Sequence, residues 1–146
     1  MSQRIDYRSV APDVYKAMTH LGTTPSIDMQ LIELVNIRAS QINGCASCLS
    51  IHIPEGRKSG LADEQIDLIS VWREVGDIFS GRERAALAWA ESLTLLPQNQ
   101  TPDDLYEEVR AHFNELETVE LTWAIVIINV WNRMAVAMRV PPRRAR

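Results

Sequence analysis

The chain has 146 residues, 46% of them apolar, and a formal charge of −4. That length and apolar content suit one domain with a real core, which excludes a wholly disordered chain. Acidic and basic residues are mixed along it without a basic stripe, which excludes the grip on a phosphate backbone that nucleic-acid binding needs.

Residues 1–146 are therefore expected to form a single domain. The segment Met1 to Val10 is polar and charged, without the apolar stretch of a secretory leader, so the expected address is cytoplasmic. Apolar residues recur at helical spacing almost throughout and no alternating run suggests a strand, so the expected fold is all-α. A first helix is expected from Pro12 to about Leu21, ended by Gly22. Ser26 is expected to cap a second, which turns Ile27, Leu31, Leu34 and Ile42 inward and stops at Asn43-Gly44. A third should begin at Cys45 and Cys48 and end near Gly60, and Asp63 should cap a fourth reaching about Trp72. Ser80 with Glu83 forms a capping box for the fifth, which Pro97 terminates. Thr101-Pro102 opens the sixth, and Asn114 with Glu117 opens the seventh, ending near Met138. Within that last helix the apolar run Leu121 to Trp131 is too short to span a bilayer and reads as a core helix, so no membrane partner is expected. Beyond it, Arg139 to Arg146 with Pro141 and Pro142 reads as a basic, solvated, flexible tail.

Two cysteines three residues apart, in a reducing compartment, point to chemistry or metal binding rather than a structural staple. On a helix turning about 100° per residue, Cys48 lies about 60° and His52 about 20° from Cys45, in the same sense. Both sulfurs and the imidazole therefore share one face. The Cα atoms of Cys45 and Cys48 should stand about 5 to 5.5 Å apart, within disulfide range. His52, one turn beyond Cys48, leans back over its sulfur and is placed to take the thiol proton, and the open N–H groups of the first turn favour a thiolate. Folding the second helix back at Asn43-Gly44 brings Glu33 level with His52, where a carboxylate could orient the ring. The competing expectation for Glu33 is a solvated face shared with Asn36 and Ser40. His20 and His112 have no visible partner, the four tryptophans read as core or interface anchors, and Asn129, Asn132 and Arg133 should satisfy buried backbone or subunit contacts.

The pattern of Glu33, eleven residues, Cys45-Ala46-Ser47-Cys48, three residues and His52 resembles the alkylhydroperoxidase D signature. The stretches from Ser80 to Thr94 and from Ile128 to Arg133 are similar to the wider carboxymuconolactone decarboxylase-like superfamily. The resemblance implies an all-helical fold, a homo-oligomer (trimer or hexamer), and reduction of a hydroperoxide. In those roles Cys48 would be the peroxidatic thiol, Cys45 the resolving thiol that meets the reductant, and His52 with Glu33 the proton relay. The reductant would be an external dithiol, of lipoyl type, and no cofactor or metal is implied. Two departures stand out: Ser47 where well-studied members carry histidine, and Pro54 with Gly56 after His52, where a kink is expected. The alternatives are a zinc- or thiol-based binding module built on Cys45, Cys48 and His52, with Glu33 or a partner residue as the fourth zinc ligand, and a lactone-decarboxylating lyase. The cysteine pair argues against the lyase, which needs no redox thiol.

Overall fold

The computed structural model describes residues 2–144; Ala145 and Arg146, the end of the expected tail, lie outside the described residues. Among the described residues there are nine α-helices, one 3₁₀ segment and no strand. The helices are α1 (Tyr7–Val10), α2 (Pro12–Leu21), α3 (Met29–Ile42), α4 (Ala46–Ser59), α5 (Asp63–Leu68), α6 (Gly81–Thr94), α7 (Leu96–Asn99), α8 (Asp103–His112) and α9 (Glu115–Ala137), with the 3₁₀ segment at Ile69–Glu74. The all-α expectation holds.

Helix α3 is the centre of the fold, packing on α4, α6 and α9. Its Leu34, Val35 and Ile37 are fully buried and meet Leu87 of α6 and Leu121 and Ile125 of α9 in one core. A smaller apolar cluster joins Ala39, both cysteines, Ile128 and Ala135, so the sulfur pair sits at the seam of α3, α4 and α9. Both expected capping boxes form, Ser80 with Glu83 and Asn114 with Glu117, each side chain satisfying the other's free N–H.

Several boundaries differ from the sequence reading. Asp28 rather than Ser26 caps α3, accepting from Gln30 N–H, while the Ser26 hydroxyl donates to Glu120 across the fold. Ala62 precedes α5, and Gln65 rather than Asp63 reaches back to its N–H. Residues 69–74 tighten into 3₁₀ geometry around a non-helical Val71 instead of continuing to Trp72 as α-helix. Pro97 opens the short α7 as α6 closes, and Thr101 takes a positive φ instead of capping α8. Helix α4 runs from Ala46 to Ser59 with Pro54 inside it.

Helix α9 has 23 residues, long and apolar enough to cross a bilayer, and 44% of its most apolar window is buried against the body. Its outward residues Leu116, Val119, Trp123, Val126 and Val130 are all exposed, at successive steps of three and four. Arg4 ties the N-terminal segment to the end of this helix, its main-chain N–H donating to Met138 and its guanidinium to Ala137.

Candidate functional site

Helix α3 ends at Asn43, Gly44 turns with φ of 65°, and Cys45 becomes the N-cap of α4. The positive φ suits glycine, which pays no Cβ penalty there. Polar side chains pin this turn to α9: the Asn43 amide donates to Asn129 and Asn132, and Asn132 donates in turn to Ser40. The asparagines that interrupt the apolar run of α9 thus hold the cysteine-bearing turn in place. Asn43 was read in the sequence only as part of the Asn43-Gly44 helix stop; its amide bonds to α9 were not foreseen.

The two sulfurs are bonded, with Cα atoms 5.3 Å apart. The Cys48 N–H also approaches Cys45 Sγ at 3.2 Å, so sulfur takes the place that an oxygen fills in ordinary N-caps. Cys45 is 1% exposed and Cys48 5%. Only Cys48 lines the adjoining pocket of about 280 Å³, together with His52, Ser47 and Trp131. The resemblance implied that Cys45 would meet the reductant; of the two cysteines, it is Cys48 that lines this pocket.

His52 Nδ1 lies 2.8 Å from Glu33 Oε2. A carboxylate accepts, so Nδ1 donates, which leaves Nε2 as the ring's acceptor. The Asn36 amide nitrogen approaches the same Nδ1 at 3.4 Å, a neighbour the sequence reading placed on the wrong kind of surface. Glu33, Asn36 and Ser40 are all buried, so the solvated-face expectation for them fails. Gly56 explains how α4 comes so near α3. A Cβ there would stand 3.0 Å from Leu61 and 3.2 Å from Ile37, and 3.7 Å from the Glu33 Cβ. The residue one turn after His52 is therefore a close-approach glycine that lets α4 lie against α3 beside Glu33.

Other candidates fall away from this cluster. His20 and His112 are exposed on α2 and α8, Trp72 and Trp89 are core residues, and Trp123 is surface. Among the described residues no three histidine, cysteine or acidic side chains gather as a metal-ligand set. Glu91 forms a separate buried cluster with Arg38, Arg73 and the Trp72 indole. Burial alone would raise its carboxyl, but the three hydrogen bonds outweigh burial and hold it below the ordinary carboxylate value.

The sequence profile of the carboxymuconolactone decarboxylase family matches residues 12–92, more than half of the chain. The uncharacterized protein YdfG of Bacillus subtilis is 40% identical over 141 residues, covering 94% of this chain and 95% of its own. A crystal structure from Agrobacterium tumefaciens, of a protein of unknown function assigned provisionally to the antioxidant defence protein AhpD, superposes with a TM-score of 0.94. It has 39% identity and covers 99% of this chain and 100% of that one. The debrominase Bmp8 shares the fold at TM-score 0.81 and 21% identity, over 92% of this chain and 74% of its own. This chain belongs to the carboxymuconolactone decarboxylase family, as an alkylhydroperoxidase D-like member.

Proposed function

We propose that the protein is a thiol-dependent hydroperoxide reductase. The observation that carries this reading is that Cys48 and His52 line one pocket, while Glu33 holds the far side of the imidazole. In the reduced protein, His52 Nε2 takes the proton of the Cys48 thiol, and the thiolate attacks the terminal peroxide oxygen. The O–O bond breaks, the departing alkoxide takes the proton back from His52 and leaves as an alcohol, and Cys48 becomes a sulfenic acid. Cys45 then attacks that sulfur, water leaves, and the disulfide forms across the 5.3 Å separation without refolding.

Reduction reverses the geometry. A thiolate of an external dithiol, of lipoyl type by family likeness, attacks the pocket-facing Cys48 and displaces Cys45 as a thiolate received by the Cys48 N–H. The second thiol of the donor then releases Cys48. Peroxide and dithiol thus use one pocket in turn, which makes the kinetics ping-pong. Both cysteines must return to the thiol state each cycle, which fits the reducing cytoplasm. The AhpD assignment of the Agrobacterium protein supports this chemistry.

The protein acts as a homo-oligomer in this reading. The outward stripe of α9 repeats at three and four residues from Leu116 to Val130, the spacing of a helix-packing seam. Glu115 stands at one end of the helix and Arg133 at the other. Antiparallel pairing of two copies about Trp123 therefore sets opposite charges together, a two-fold contact suited to a hexamer and not to a simple three-fold ring. W123E should reduce the sedimenting mass; an unchanged mass places the subunit contact elsewhere. For the chemistry, the test is hydroperoxide consumption with dihydrolipoamide as donor. C48S should lose it, and full activity in C48S rules out the assigned nucleophile.

A further inference from the structure

The pocket over Cys48 has a composition that general peroxide reduction does not require. Its lining includes the aromatic residues Tyr7, Tyr15 and Trp131 together with the exposed arginines Arg8 and Arg143. No aspartate or glutamate lines it. Glu33 is screened behind the imidazole, and the nearest acids are otherwise engaged: Asp6 caps α1 through Arg8 N–H, and Glu55 pairs with Lys58. Neither Arg8 nor Arg143 has an ion-pair partner within 4.0 Å among the described residues.

The Arg8 side chain and the Arg143 backbone are also held in position. Residues 4–8 are tied to the end of α9 by Arg4, and Tyr7, Tyr15 and Trp131 form a chain of ring contacts with centroids 6.2 and 5.7 Å apart. The Arg8 guanidinium lies over the Tyr15 ring at 5.6 Å. On the opposite rim, the Arg143 N–H donates to Ser50 Oγ at 2.8 Å, which lays the segment after α9 along α4. The expected tail thus contributes a wall of the pocket. Two cationic residues with no acid in direct ion-pair contact, Asp6 and Glu55 acting on them only from farther off, stand at the mouth of an aromatic cavity and suit an amphipathic anion.

We infer that the pocket selects organic hydroperoxides that carry a carboxylate, the apolar body lying against Tyr15 and Trp131 and the carboxylate reaching Arg8 and Arg143. The inference rests on the peroxidase reading for its reaction but not for its binding. A cavity of about 280 Å³ sits at the lower edge of the usual range for small-molecule sites, roughly 300–1,000 Å³, so short or medium chains suit it. The reacting group enters toward Cys48 and His52, and the charge remains at the solvent edge, where it costs least to bury.

Two arms test this separately. In the first, octanoate and octan-1-ol are titrated by calorimetry into the disulfide form of the full chain, which needs no turnover. Octanoate should bind at least tenfold more tightly, and an R8Q/R143Q double variant should remove that preference; both residues are exposed, so the fold is not at stake. Equal affinity for acid and alcohol, or a preference that survives the double variant, overturns the proposal. In the second arm, kcat/KM is compared for a carboxylate-bearing medium-chain hydroperoxide and its methyl ester. The acid-to-ester ratio should exceed ten and fall at least tenfold in the double variant; a ratio near one in the parent protein overturns it. If neither hydroperoxide is consumed, the peroxidase reading fails, and the calorimetric arm still decides whether the anion site exists.

Discussion

Replacing Glu33 tests the relay with little disturbance of the packing. The carboxylate meets His52 Nδ1 at 2.8 Å and is 7% exposed, so water does not readily replace it. A charge-assisted hydrogen bond contributes about 1.5–3 kcal/mol net, against about 0.5–1.5 for a neutral one. E33Q keeps the shape. It either offers its oxygen to Nδ1 and loses the charge assistance, or offers its nitrogen, alongside that of Asn36, and drives the proton to Nε2, where the base should be. The loss of charge assistance alone is about 1–2 kcal/mol, or about 5- to 30-fold in rate at 1.36 kcal/mol per decade. E33A removes the whole interaction and should cost about 10- to 150-fold on the same scale. The assay is kcat/KM for a hydroperoxide across pH, beside the pH profile of Cys48 alkylation, whose midpoint should move upward as the ring ceases to assist ionisation. If both variants stay within twofold of the parent protein with unmoved profiles, Glu33 does not act through His52.

Two further outcomes follow from packing and charge. G56V should lower the denaturant midpoint, because overpacking against Ile37 and Leu61 costs about 1–3 kcal/mol, while valine regains about 0.5 kcal/mol of helix propensity over glycine. It should also slow peroxide reduction by parting α4 from α3; a variant equally stable and active refutes the close-approach role. Glu91 is held below its ordinary value of 4.5, so its contribution to stability is complete above that pH and is lost as the pH falls through its lower native value. Urea midpoints measured from pH 7 down to pH 3 should therefore fall less steeply in E91Q than in the parent protein, and parallel curves contradict the assignment.

Much of the framework was legible in the sequence because its signals are local. The Ser80–Glu83 and Asn114–Glu117 boxes act over three residues, and the Asn43-Gly44 break fixed the hairpin that brings Glu33 to His52. Where two cap candidates competed, locality failed: Asp28 displaced Ser26, whose hydroxyl was drawn to Glu120, 94 residues away. The 3₁₀ segment at 69–74 left no pattern, and within it Trp72 donates to the buried Glu91, 19 residues away. The pocket was the least legible feature. Tyr7, Arg8 and Arg143 come from the two ends of the chain, and they meet over Cys48 only because Arg4 and Ser50 anchor those ends. Nothing in helical periodicity carries information over that separation.

The central claim is that Cys48 is the sulfur that receives the peroxide oxygen. It is tested most directly by treating the reduced C45S variant with one equivalent of hydroperoxide, trapping with dimedone and locating the adduct by peptide mass spectrometry. The account expects one dimedone adduct, on Cys48, together with one equivalent of alcohol. Peroxide left unconsumed, or consumed with no adduct on Cys48, contradicts it.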